Sequence, residues 1–555
     1  MSSNTPPNPA AGDPEYLASD SPNGASKSRG SGRKLGVLGG AAVGVVAVIG
    51  LGGWGAYALL AGGGSQPAEV IPASAVGYLS LDLDPSATQK IEALQILKTF
   101  PGIEKELDIG DRDDLRRWVF EMMQDDGVCE NLDYDDDVQP WIGDRVAVAA
   151  VPADEDEVTP LVALQVTDQD AAANGVDALA ACSEADDADF GYAFTGDYVL
   201  LTESTSLAES SAAEAEQTPL ADDGKFQEWT EAVGDSGIVT MYASAEAPGY
   251  LMGLQDSFMG GTDDVAFESD VAARSSSELR AATGDLDEQM KQMYKDFDGM
   301  AGVVRFEDGA AEMEFAGKGV PTGFPGTGGE SESGVTTLPA STGAALSMTL
   351  SEGWLTKYLD QMSSMFGAGG LDLEEGLAEL ERATGLAVPE DIETLLGDSV
   401  ALAVDSDIDF EAVSQSADPS ELPAGVKVHG DPDEILPIVD KVKAGIGPEA
   451  DLLVVESGED SVAFGFDKDY VGTLVGDGEL GDEGSFQDVV PNADDATAVF
   501  YLNFDAGDGW AAQFADFVGG GDPEVKDNLE PLDAVGMSSW VDDEVQHGLF
   551  RLTTD

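Results

Sequence analysis

The sequence predicts an α+β fold in tandem. Two homologous domains, each a mostly antiparallel sheet with helices on one face, follow an N-terminal transmembrane helix. Three observations lead there. A stretch of 27 residues, Leu35–Ala61, carries no charge. Three short motifs recur in the same order in the two halves of the chain. Within each half, alternating strand-like runs and periodic helix-like runs are joined by short connections, which favours antiparallel neighbours.

Residues 1–34 are rich in Pro, Ser, Asn and Gly and read as a disordered cytoplasmic tail. The next segment, "LGVLGGAAVGVVAVIGLGGWGAYALLA", would span roughly 40 Å as a helix, more than the roughly 30 Å of bilayer hydrocarbon. Trp54 and Tyr57 stand near its end, where interfacial aromatics belong. Lys27, Arg29, Arg33 and Lys34 precede it, and the next charge after it is Glu69. The positive-inside rule therefore places the tail in the cytoplasm and the bulk of the chain outside the cell membrane. A cleaved signal peptide is the rival reading: "AYA" at Ala56–Ala58 resembles a cleavage site, but the apolar core exceeds the usual ~7–15 residues. Gly36, Gly40 and Gly44 make two overlapping GxxxG spacings, a candidate surface for packing two copies of the helix into a dimer.

After a linker over 62–70, a first extracytoplasmic repeat is expected over 71–320 and a second over 338–555. "IPASAVGYLSLDL" at Ile71–Leu83 matches "LPASTGAALSMTL" at Leu338–Leu350. "WIGDRVAVAAV" at Trp141–Val151 matches "LLGDSVALAVD" at Leu395–Asp405, and "LADDGKFQEW" at Leu220–Trp229 matches "LGDEGSFQDV" at Leu480–Val489. Matches that keep their order are the signature of internal duplication. Residues 321–337, "PTGFPGTGGESESGVTT", have the Pro, Gly and Ser content of a linker.

Within the first repeat, a strand at Val76–Leu83 leads into helices at Ser86–Phe100 and Asp114–Met123. Strands follow at Arg145–Val151 and Leu161–Val166, then a helix at Asp170–Ala181. A strand pair at Phe190–Phe194 and Tyr198–Thr202 brackets the Gly196-Asp197 turn. Helical pieces at Leu207–Glu216 and Phe226–Val233 precede a strand at Ile238–Tyr242. "GVVRFEDGAAEMEFAG" at Gly302–Gly317 is two alternating runs around Asp308-Gly309, a strong hairpin signal, and "MSSWVDDEVQHGLFRL" at Met537–Leu552 is its counterpart. Two such halves could face each other across a pseudo-twofold with a cleft between them.

"PASAVGYLSLDLDPS" at Pro72–Ser86, "KTFPG" at Lys98–Gly102, "IGDRVAVAA" at Ile142–Ala150 and "GDYVLLTES" at Gly196–Ser204 together resemble the actinobacterial family of unknown function DUF3352. The resemblance implies a membrane-anchored envelope protein of unassigned activity over most of 67–555. It brings no catalytic residues with it.

The net charge of -82, from 108 acids against 26 bases, excludes nucleic acid as a partner, because its phosphates would be repelled. Cations, basic proteins and salty water suit such a surface. Two histidines, His429 and His547, lie far apart without a Ser or Cys partner nearby, so no catalytic residues are assigned. Cys129 and Cys182 are the only cysteines; outside the membrane they form a disulfide candidate, with two buried thiols as the alternative.

"NLDYDDDVQPWIGD" starts like a calcium loop, with Asp133, Asp135 and Asp137 at positions 1, 3 and 5. Val138 then stands where the loop needs Gly, and Asp144 where it needs a bidentate Glu. The second repeat places Asp391 opposite Asp137 but Ala387 and Pro389 opposite Asp133 and Asp135. The shared feature is thus a capped turn feeding a strand. No metal is favoured; calcium at those three acids is the weak candidate, and no other cofactor is expected.

The expected function is a non-enzymatic interaction or binding module of the cell envelope, its partner undefined. The alternative is a carrier or sensor holding an apolar ligand or a cation between the two repeats.

Overall fold

The computed structural model describes residues 66–83, 86–100, 132–154, 157–182, 191–234, 236–250, 294–320, 333–359, 384–409, 418–507 and 523–555, with single residues and pairs between these stretches. The tail 1–34, the expected span 35–61 with Gly36, Gly40 and Gly44, and residues 321–332 of the second linker lie outside them. Among the described residues no helix is long and apolar enough to cross a membrane.

In the first half, β1 (Gly77–Asp82) leads into α1 (Ala87–Thr99). Then come β2 (Ile142–Asp154), β3 (Glu157–Val166), α2 (Gln169–Cys182), β4 (Gly191–Thr195) and β5 (Tyr198–Thr202). α3 (Thr205–Ala215), α4 (Gly224–Ala232), β6 (Val239–Ser244), β7 (Gly299–Glu307) and β8 (Ala310–Lys318) complete it. The second half runs β9 (Thr342–Thr349), α5 (Glu390–Leu396), β10 (Ser399–Asp405), β11 (Ala424–His429), α6 (Pro432–Ile446), β12 (Val454–Ser457) and β13 (Ser461–Gly465). It ends with α7 (Lys468–Leu474), α8 (Gly484–Val489), β14 (Ala498–Asn503), α9 (Pro523–Leu529), β15 (Leu532–Asp542) and β16 (Val545–Thr554).

Local chemistry explains many boundaries. Ser204 caps α3 by accepting from the Leu207 amide, and Asp223 and Asp467 cap α4 and α7 in the same manner. Asp308 (φ 52°) and Gly309 (φ 77°) turn β7 into β8 with two left-handed residues, the tight hairpin geometry. β2 and β3 extend beyond the expected Val151 and Leu161, pairing as far as Asp154 and Glu157.

The strands form one antiparallel sheet of 16 in the order β12-β13-β11-β10-β9-β14-β15-β16-β8-β7-β6-β1-β2-β3-β5-β4. Outward from the centre, the second half repeats the first with eight added to every strand number. The expected cleft between facing halves does not form among the described residues, because the halves meet edge to edge at β8–β16. An unpaired β8 edge would leave a row of open amides and carbonyls, and sheet continuation satisfies them.

Helices on one face is a second expectation the structure corrects. On the front face, Phe226 and Trp229 of α4 and Ala212 of α3 pack on Tyr78, Ala149, Leu161 and Tyr242. On the back face, Ala93 and Ile96 of α1 pack on Leu81, Val239, Phe306 and Ala311, and Ala172 and Val176 of α2 on Val166, Val199 and Leu201. β5 shows why: all five residues of "YVLLT" are buried, and a strand apolar on both sides needs cover on both. The second half repeats the layering, with α7 and α8 in front and α6 behind.

Candidate functional site

The hairpin turns of the two halves join Glu307 to Ala310 and Asp542 to Val545. Each β8 residue therefore has a β16 counterpart displaced as Val545 is from Ala310. Under that mapping the pair Gly317–Gln546 becomes Leu552–Ala311, also a pair, and Glu314–Leu549 maps onto itself. A local twofold in the register passes through Glu314 and Leu549.

The front face of this joint is ionic. Cross-strand register aligns Arg305, Glu312 and Arg551, and, four residues along, Ala316, His547 and Trp540. The Arg305 guanidinium pairs with Glu312 and Glu314 and donates to the Val233 carbonyl at 2.7 Å, at the C-terminal end of α4. Arg551 Nη1 lies 3.4 Å from Glu312 Oε2. His547 stacks on Trp540 with ring centroids 4.9 Å apart, and its Nδ1 is 3.9 Å from Glu314 Oε1, too far for a hydrogen bond.

Burial by itself lowers the Arg305 pKa, but Glu312 and Glu314 together carry it above its ordinary value. Burial raises Glu314 despite Arg305, and burial lowers His547 despite Asp542, so the imidazole is neutral at neutral pH. Side-chain exposure across the cluster is 6–13%, which leaves no reactive group open to a substrate. What the cluster can do is hold register. A slip of one residue would turn Glu312 and Glu314 onto the apolar back face.

The back face differs. Leu402, Leu346, Phe500, Met537, Phe550 and Met313 are consecutive cross-strand partners over six adjacent strands. Leu402, Leu346, Phe500 and Met537 are 45%, 37%, 37% and 51% exposed. The rows on either side, through Val404, Ala344, Leu502 and Val535 and through Val400, Met348, Ala498 and Ser539, carry no charge. α6 covers the sheet on one side of this strip, and α1, which packs on β7 and β8 and reaches β16, covers it on the other. The strip between them spans β10, β9, β14 and β15, roughly 14 Å at about 4.8 Å per strand, slightly more than one helix diameter. Scattered exposed apolar residues are ordinary; here four stand in one continuous row.

Carboxylates fringe the row. Asp405, Asp505 and Asp533 stand at one end of these strands, and Asp398, Asp495 and Asp542 at the other. Burial and then the neighbouring Asp555 and Asp533 raise the Asp505 pKa, a sign of crowded negative charge at that rim.

The residues singled out from sequence fall elsewhere. Asp133 caps a π-helical turn (Tyr134–Val138) through the Asp135 and Asp136 amides, and Asp137 Oδ2 accepts from the Asp133 amide at 2.8 Å. Asp391 Oδ2 accepts from the Ala387 amide at the same 2.8 Å, so the aligned turns share a hydrogen bond. Asp135 pairs with Arg117, whose guanidinium lies 4.6 Å from the Tyr134 ring. Among the described residues no group of three or more His, Cys, Asp and Glu side chains is placed to hold a metal. Cys129 is disulfide-bonded, and its Sγ lies 3.9 Å from the Leu179 carbonyl, one helical turn from the end of α2 at Cys182. The Cys182 side chain lies outside the described ones.

Sequence reasoning missed the joint altogether. His547 lies in the last hairpin of the chain, and that hairpin is at the centre of the sheet. His429 faces Ser399 across β10–β11, but Ser399 is fully buried and offers no accessible nucleophile. Lys427 is also buried; its ammonium donates to Thr337 O, Thr337 Oγ1 and Gly476 O, and burial lowers its pKa. Ala163 holds the equivalent place in the first half, so this lysine ties loops together rather than serving a repeated site.

No curated protein and no solved structure matches the chain. Residues 41–193 match the model of a protein family of unknown function. The match, to DUF3352, takes in Pro72–Ser86 and Ile142–Ala150 and ends just before Gly196–Ser204.

Proposed function

We propose that this is a single-pass, membrane-anchored, extracytoplasmic protein that acts as a non-enzymatic interaction module of the cell envelope. The observation that carries the reading is the uncharged row Leu402–Leu346–Phe500–Met537, exposed on an otherwise acidic chain. The uncharged segment Leu35–Ala61 and the bases before it support the anchor, with the N-terminus cytoplasmic. Gly36, Gly40 and Gly44 would pack a dimer within the membrane. The two halves act as tandem homologous domains fused through their sheets, and a Cys129–Cys182 bridge ties the loop before the π-helical turn to α2.

The test is site-specific photo-crosslinking in intact cells, with the probe at Met537 or Phe500 and a control at Glu456 on the outer strand β12. Discrete adducts from the row and none from the control are expected. No adduct from either row position would sink the reading. Retention of a lipid or metal by the natively purified chain, seen by mass spectrometry, would favour the carrier reading instead. A fall in melting temperature on chelation would point to calcium at Asp133, Asp135 and Asp137.

A further inference from the structure

We infer that the partner of the back-face row is a cationic amphipathic polypeptide segment, apolar on one side and flanked by Lys or Arg. The inference rests on the reading of this row as a contact surface and adds what occupies it. Three features converge on that chemistry.

The strip between α6 and α1 is about one helix wide. A peptide helix laid there would bury Leu346, Phe500 and Met537 as anchors, in the helix-in-groove manner. The ends of the strip are carboxylate on both sides, with Asp505 and Asp533 at one rim and Asp398 and Asp495 at the other. An apolar floor between two negative rims matches a segment whose apolar stripe is bordered by positive charge. It repels both a second copy of this chain, at net charge -82, and an anionic membrane surface.

The joint contributes the third feature. Arg551, on the strand next to β15, faces forward and is engaged by Glu312. It therefore does not neutralise the back face. Lys427 is likewise spent on the front side, on Thr337 and Gly476. The strip keeps its negative rims without local compensation from either of these bases.

The test uses the full-length chain in detergent and three synthetic peptides of roughly 18 residues, five helical turns. One is an amphipathic Leu/Lys helix, one its Leu/Glu charge inverse, and one a Gly/Lys peptide with the same charge and no apolar stripe. Titration calorimetry should show the Leu/Lys peptide binding and the other two binding at least about tenfold more weakly, a step of ~1.4 kcal/mol. Phe500→Ser and Met537→Ser should each weaken the Leu/Lys peptide about tenfold while leaving the melting temperature unchanged. Raising the salt from about 0.05 to about 0.5 M should weaken it several-fold.

Binding of the Leu/Lys peptide that ignores both substitutions would overturn the inference, since it would report general attraction to an acidic chain. Equal binding of the Leu/Glu peptide, or no binding of the Leu/Lys peptide, would overturn it too. In those cases crosslinks from Met537 to another protein would leave the interaction module standing with a different partner. Concentration-dependent self-association abolished by Met537→Ser would show a second copy as the occupant and overturn the cationic partner.

Discussion

On the front face the two halves are near copies. Phe226 meets Tyr242 edge-on at 5.2 Å and 78°, and Phe486 meets Tyr501 at 5.1 Å and 75°. On the back face they part. Under α1 the first half carries Val304, Phe306 and Ala311; the second half carries Ser539, Val541 and Gln546 at the equivalent register, with Val541 52% exposed. One pleat away the order inverts, and the second half exposes Phe500 and Met537 where the first has Met241 and Gly302. The duplicated sheet kept the core that makes each half fold. It diverged on the side where folding asks less, and that is where a partner surface can arise without loss of stability.

The joint gives the largest test of this comparison. Arg305 of the first half stands where the second half has Trp540, so the charge is one-sided although the backbone register is symmetric. Arg305→Met leaves Glu312 buried without its main partner and should cost about 3–5 kcal/mol in chemical denaturation. Trp540→Phe keeps an aromatic stacked on His547 and should cost less than about 1.5 kcal/mol. Equal costs would remove the asymmetry.

A smaller effect separates the back faces. Val304→Ser puts a hydroxyl under α1 and should cost about 1–3 kcal/mol. Met537→Ser should stay within about 0.5 kcal/mol, because that side chain is half exposed. If Met537→Ser destabilises as much as Val304→Ser, the row is covered in solution and the contrast between halves fails.

The smallest effect is in pH. His547, facing Glu314, Asp542 and Trp540 and flanked by Arg551 and Glu312, has a pKa lowered by burial from its ordinary 6.5. The neutral imidazole is favoured in the fold, so the stability it supports is present above 6.5 and lost as the pH falls through the folded value. Glu314 is raised by burial from its ordinary 4.5, so its contribution is present below that value and lost as the pH rises through the folded one. Melting curves of His547→Phe should lack the acid-side loss and those of Glu314→Gln the other. Unchanged profiles in both would mean the joint is solvated.

Much of the fold was legible locally. The expected helix Ser86–Phe100 is observed as Ala87–Thr99, and the strand pair around Gly196-Asp197 lies within a residue of its expected bounds. The shared hydrogen bond of Asp137 and Asp391 was visible as an aligned Asp in two copies of one turn. These features rest on residues near one another in the chain, where period, caps and turn residues act directly. The candidate site was not legible in the same way. "VQHGLFRL" names its residues but not the strand it lies beside, and His547, Arg551 and Phe550 acquire their neighbours only when β16 meets β8.

The sequence alone therefore determined the internal repeats, the α+β alternation, the acidity and the match to DUF3352 over residues 41–193. The tertiary structure decided that the halves share one sheet, that helices cover both faces, and that one back face is left with an uncharged row. The reason is physical. A strand's pattern records which of its sides is apolar, whereas the strand that pairs with its edge is set by long-range hydrogen bonding that no local period encodes.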